Sequence, residues 1–274
     1  MSLGIFCAVL FAALLHASWN AIVKLGGDKL LTTILVTGWA AILAAIALPW
    51  LPAPAAASLP WLAASAILQT GYYVLVARAY HSADMSLSYP LMRGCAPLLV
   101  AIAGTWLFDE HLSASAWSGI ALISAGILCM AGSSTVRNIH LPLCIAVVIA
   151  TYTLVDAQGA RLSGNALSYT LWLFLLSGLP LPIWALFARR QQLNAYLRGN
   201  WQRGLVGGIG TTASYAIALW AMTIAPVAVI AALRETSILF ALLISALLLK
   251  EHISRKRLLA AALIIAGVVL LRLA

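Results

Sequence analysis

RGCAPLLVAIAGTWLFDEHLS occupies 93–113, and RETSILFALLISALLLKEHIS occupies 234–254. Each is an apolar run of about the 20 residues that a bilayer-crossing helix needs. Each opens on an arginine and closes on Glu-His-x-Ser. The second trails the first by 141 residues, so Arg93, Leu98, Leu107, Glu110, His111 and Ser113 meet identical residues. The register carries into the next run, where LISAGIL at 122–128 falls on LIIAGVV at 263–269. Upstream, with one residue of slippage, Thr70 and Tyr73 meet Thr212 and Tyr215. Membrane helices share leucines by chance, but not Arg, Glu-His and Ser in register. The chain therefore reads as a duplication, 1–136 followed by 137–274.

Composition agrees with the membrane reading. Of the 274 residues 64% are hydrophobic and 8% charged, with a mean hydropathy of +1.02. A soluble domain carries roughly 25% charged residues, so no water-facing surface could be covered here. Ten apolar stretches fit, near 3–23, 30–51, 59–80, 84–107, 114–132, 140–158, 167–187, 204–223, 226–249 and 257–273. The first lacks a basic leader and reads as a retained span. Of the connections, 188–203 alone is long enough for structure of its own. The fold class is all-α integral membrane, ten transmembrane helices as two five-helix repeats. Five is odd, so the second repeat must insert upside down, and a substrate site is expected near the midplane between the repeats.

A sequence pI near 9.8 would suggest nucleic acid for a soluble protein. In this chain the loop lysines and arginines set orientation instead. With ten spans, those from Lys24 to Arg257 share one side, and Arg161 and Arg272 fall on the other. That places both termini outside, in a multi-pass protein of a bacterial inner membrane. Cys7, Cys95, Cys129 and Cys144 sit in apolar runs without metal-ligand spacing, and neither a metal nor a cofactor is expected.

LLHASWNAIVK (14–24), ARAYHSADMSLSYPLMRGCAPLLV (77–100) and LRETSILFALLISALLLKEHIS (233–254) resemble the EamA family of the drug/metabolite transporter superfamily. The resemblance covers both halves. It implies a cofactor-free carrier, an exporter of amino acids, other metabolites or toxic compounds. Many members of that family are drawn with cytoplasmic termini, and the loop charges here point the other way.

Within the spans, charge is the informative signal, because an arginine at the centre of a membrane helix costs about 2.5–3.5 kcal/mol on insertion scales. Arg93 and Arg234 lie about 14 and 12 Å into their spans at ~1.5 Å per residue, from opposite faces. They would flank the midplane as fixed cations for an anionic or zwitterionic substrate. The alternative is structural, with each arginine tying broken backbone or pairing with Glu235 or Asp156. His16 and Asn20 share a helix face, beside Trp19, and their counterparts Tyr152 and Asp156 keep the spacing. Tyr73, Tyr89, Tyr215 and Trp220, with Tyr72, are candidates for an aromatic lining. Glu235, Asp156 and His16 are the proton-coupling candidates; for Asp156, toward its span's end, solvation at the interface is the alternative. Pro90, Gly94 and Pro97 mark the fourth span as the more irregular binding face, since proline removes ladder hydrogen bonds. The ninth has only Pro226, at its start.

The expected function is a secondary transporter working by alternating access, facilitative or proton-coupled, exporting a small polar or amphipathic metabolite. No nucleotide motif is present, so direct ATP drive is excluded. Partners are the small molecule and the bilayer, no nucleic acid, with a monomer or homodimer both admitted. The alternative is a lipid flippase or an intramembrane lipid-modifying enzyme. Against an enzyme, Asp109-Glu110-His111 and Glu251-His252 are predicted on opposite faces, so they do not cluster.

Overall fold

The computed structural model describes residues 1–82, 85–131, 139–248, 250 and 254–274, and among them it contains helices and turns but no strand. From the first half come α1 (Leu3–Leu25), α2 (Lys29–Ala47), α3 (Leu59–Ser82), α4 (Met85–Leu107) and α5 (Ala114–Cys129). From the second come α6 (His140–Leu162), α7 (Ala166–Gly178), α8 (Pro180–Ala188), α9 (Arg190–Ile224), α10 (Val227–Arg234), α11 (Ser237–Leu248) and α12 (Arg255–Leu273). The expected boundary at 136/137 lies outside the described residues, as do Asp84, Glu251, His252 and the side chain of Tyr73.

Helix starts follow side chains that accept orphan backbone N–H groups. Asp28 accepts from Leu31 N at 3.0 Å, and Asn165 accepts from Ser168 N at 2.9 Å. Ser113 caps α5 through Ala116 N at 3.2 Å, and its duplicate Ser254 caps α12 through Arg257 N at 3.4 Å. The preceding turns match as well. Asp109 has φ 53° and its duplicate Lys250 has φ 52°, a left-handed conformation that side chains adopt reluctantly. Shared strain at duplicate positions is a strong mark of common origin.

Two local expectations change. Residues 190–203, expected to be long enough for structure of their own, form the first turns of α9, which runs 35 residues without a break. The seventh apolar stretch is divided into α7 and α8 at Leu179, ahead of Pro180 and Pro182; Leu179 keeps helical dihedrals, and the interruption lies in the ladder, because neither proline has an N–H to donate. Most consequential, α4 continues through Pro90 and Pro97, while the ninth stretch breaks between α10 and α11 at Glu235 and Thr236. The irregular binding face is thus in the second half, not the first. The break is a tight turn: Thr236 N donates to Leu233 O at 3.1 Å, and Thr236 Oγ1 donates to the same carbonyl at 2.7 Å. The threonine hydroxyl satisfies a carbonyl that the break leaves short of an α-helical partner, and no proline marks the position.

Among the described residues, eight segments are long and apolar enough to cross a membrane: α1, α2, α3, α4, α6, α7–α8, α9 and α10–α11. The apolar α5 is shorter, and α12 is bounded by Arg255, Lys256, Arg257 and Arg272. Large apolar side chains point outward at mid-helix, Ile67 being 74% exposed, as a hydrocarbon solvent permits. Packing between helices then rests on small residues and close contact. Gly204, Gly207 and Gly208 of α9 let α2 approach so closely that a Cβ at Gly207 would sit 2.6 Å from Val36 Cγ2.

The packing pattern is symmetric on exchange of the halves. α1 lies on α9 as α6 lies on α3, and α6 meets α4 as α1 meets α10 and α11. α2 with α7, and α5 with α12, pair with their own duplicates. Each half therefore closes on the other, and the space left between them is polar.

Candidate functional site

That space is a cavity of about 160 Å³. Its lining draws on α1, α2, α3, α4, α6, α7, α9 and α10, and leaves out α5 and α12. Duplicate positions meet across it: Arg93 with Arg234, Gln69 with Thr211, Tyr72 with Ser214, His16 with Tyr152.

Of the residues singled out from sequence, His16, Asn20, Tyr89, Arg93, Tyr215 and Arg234 all line this cavity. Trp220 does not. It borders a separate groove of about 530 Å³ beside Arg161, Asn165 and Leu167. The reason is helix phase: five residues beyond Tyr215, at ~3.6 residues per turn, Trp220 is rotated about 140° away. The wall also includes Trp19, Gln69, Tyr72, Tyr152, Phe174 and Thr211. Of these, Gln69, Phe174 and Thr211 had no strong sequence signal; repeat pairing was the available clue for Gln69 and Thr211.

The two arginines are not equivalent. Arg93 Nε lies 2.9 Å from Glu235 Oε2, with side chains 11% and 7% exposed. The pair is close but off-line, and neither atom has an aligned hydrogen-bond partner. The helix break at Glu235 delivers this carboxylate to α4, so the structural alternative holds for Arg93. Arg234 differs. Among the described residues no carboxylate lies within ion-pair distance of it, and its guanidinium sits 4.9 Å from the Tyr215 ring centroid. Its fork of donors borders the cavity.

Other polar groups are largely committed. Asn20 Nδ2 donates to His16 O at 2.7 Å, leaving its carbonyl oxygen as the available group. The His16 ring meets Trp19 edge to face at 5.3 Å between centroids. Tyr72 and Tyr152 meet similarly at 5.7 Å, as do Phe174 and Tyr215 at 5.9 Å.

Asp156 stands just behind the wall and is fully buried; the alternative of interfacial solvation is set aside. Its carboxylate accepts from Gln69 Nε2 at 3.0 Å, from Tyr169 Oη at 3.2 Å and from Tyr215 Oη.

Glu110, which the sequence singles out only as part of the repeated Glu-His-x-Ser close, bridges the halves at one face. Val227 N donates to Glu110 Oε2 at 2.9 Å, at the start of α10, and Arg161 Nη2 donates to Glu110 Oε1 at 2.7 Å. Arg161 Nε also donates to Met222 O at 2.9 Å. One carboxylate thus ties the α4–α5 turn to α6, α9 and α10, as an acid at a helix N-terminus should.

A polar, partly charged cavity between two duplicated helical halves of an apolar chain is the architecture of a membrane carrier. Residues 2–132 and again 138–273 match the model of the EamA-like transporter family. The chain belongs to that family. No curated protein matches it significantly. One crystal structure, titled simply as that of a protein, is similar with a TM-score of 0.73 at 18% identity, over 98% of this chain and 95% of that one. At that identity the likeness speaks for the fold alone.

Proposed function

We propose that this transporter carries a small metabolite bearing an anionic group, by alternating access around the central cavity. It would use ten spans, arranged as two five-helix repeats in opposite orientation. The observation that carries the reading is Arg234, a cavity cation without a carboxylate partner among the described residues. An anion would take its donors in a forked geometry, while the Asn20 carbonyl could accept from an amine on the same molecule. The cavity volume of about 160 Å³ falls below the roughly 300–1,000 Å³ of drug-sized sites. That favours a compact amino-acid-like acid over a lipid. Outward movement is the reading taken from the family, and Glu110 would hold the closed gate at one face.

A thermal-shift screen of amino acids, small carboxylates and phosphonates on purified protein tests the ligand class, because a ligand of the folded state raises its apparent stability. Hits should then cross liposomes containing the protein. Lipid scrambling without metabolite flux, or chemical change without flux, would refute a metabolite carrier.

Orientation is tested separately. With Lys24, Lys29, Arg189, Arg190, Arg198 and Arg203 on one side, the positive-inside rule puts that side in the cytoplasm and both termini outside. A C-terminal alkaline phosphatase fusion expressed in bacteria should be active. An inactive but stably produced fusion would reverse the assignment.

A further inference from the structure

We propose that Asp156 is a proton-binding site linked to the anion site at Arg234 through the single side chain of Tyr215. This deepens the transport reading above and rests on it.

Burying a carboxylate at membrane depth is costly, and such groups normally pair with a cation. Among the described residues none pairs with Asp156. Its shell is neutral: one amide and two phenols, from Gln69, Tyr169 and Tyr215, with the buried Ser65 hydroxyl beside them. Hydroxyls and phenols donate or accept as needed. When Asp156 is ionised, all four partners can donate to it. When it is protonated, its own O–H can donate to a tyrosine oxygen, whose hydrogen turns away. The same shell therefore accommodates both states, whereas a purely structural acceptor needs only one. The shell is also built for: a side chain at Gly159 would collide with the Tyr169 ring and hydroxyl, so the glycine seats that donor.

The surroundings from each packed helix are identifiable. Tyr152 of α6, Tyr169 of α7 and Tyr215 of α9 are the titratable neighbours. The charges come from Arg93 of α4, Arg234 at the end of α10 and Glu235 in the turn that follows it. From α3 come Gln69 and Tyr72, whose ring packs on Tyr152. Gln69, Tyr152 and Tyr215 separate Asp156 from the cavity that both arginines border.

Tyr215 touches both sites, its hydroxyl on Asp156 and its ring 4.9 Å from the Arg234 guanidinium. A cation over the ring draws electron density from it and strengthens the O–H as a donor. An anion on Arg234 offsets that charge and so favours the protonated state of Asp156. Linkage is reciprocal, so anion and proton bind together and cross together. The proton reaches Asp156 in one concerted step: hydronium in the cavity gives a proton to the Tyr215 oxygen as the phenol passes its own hydrogen to the carboxylate, leaving water behind and Tyr215 neutral.

Infrared spectroscopy on the full chain in liposomes, titrated from alkaline to acid, reads the site without a known substrate. A protonated-carboxyl band should appear on acidification, vanish in Asp156→Asn and survive in Glu235→Gln. In Arg234→Gln it should persist to a proton concentration roughly tenfold lower, within the usual range of coupling strengths. Should Asp156→Asn fail to elute as a folded species, Tyr215→Phe must move the same band. A band that ignores both variants, or a sodium-dependent carboxylate change in its place, overturns the proton site; indifference to Arg234→Gln overturns the linkage. The transport reading fails separately: an Asp156 band with no flux of any screened acid sinks transport, whereas pH-insensitive flux persisting in Asp156→Asn sinks the proton site.

Discussion

Glu235→Ala is expected to lower the stability of the detergent-solubilised protein by about 3–5 kcal/mol, the usual cost of leaving one partner of a buried ion pair alone. Arg93 would keep its charge at a side-chain exposure of 11% with its nearest anion gone. The partner is not replaceable from nearby, because Asp156 is already engaged by Gln69, Tyr169 and Tyr215. Removing both charges, as Arg93→Met with Glu235→Leu, should restore most of the loss, since apolar substitutes for a buried pair are often neutral. Thermal unfolding of the two single variants and the double variant makes the comparison. Additive losses would mean that the two side chains act independently, despite lying 2.9 Å apart.

Arg234→Lys should act on binding more than on folding. Lysine keeps the charge but loses the planar fork that matches a carboxylate or phosphonate. Affinity for an acid identified by the thermal-shift screen should fall roughly thirtyfold or more, in line with the 2–5 kcal/mol lost when a buried charge pair is truncated. Arg93→Lys should change that affinity far less, because Glu235 rather than the ligand holds Arg93. Titration calorimetry on both variants separates the roles. Equal losses would return the arginines to a symmetric pair, and no loss in either would remove anion recognition from both.

That asymmetry shows where sequence reading reaches its limit. Charge in an apolar run is conspicuous, and duplication doubles the signal, so Arg93, Arg234, His16, Asn20 and Tyr215 are all legible in the sequence. Which acid meets which arginine depends on a helix break at Glu235 and Thr236, which no proline or glycine marks. The prolines of α4 pointed to the wrong half because proline removes a donor without forcing the helix to end. The shell of Asp156 assembles from α3, α7 and α9, and no spacing within one helix announces it. Trp220 was a different kind of miss: counting its rotation from Tyr215 would have put it on another face. Helix phase was available in the sequence, whereas partner choice was not.

The crossing of α5 and α12 carries a historical implication. A Cβ at Gly119 would lie 2.8 Å from the Gly267 carbonyl oxygen, and one at Gly126 would lie 2.9 Å from that of Ala260. Ala260 is the duplicate of Gly119, and Gly267 is the duplicate of Gly126. Each contact thus has its mirror, the signature of an isologous interface in which one patch meets a second copy of itself. Two identical half-length chains could have docked along this seam before any linker joined them. The close crossing reads as the surviving handshake of an ancestral homodimer, later fused into one polypeptide.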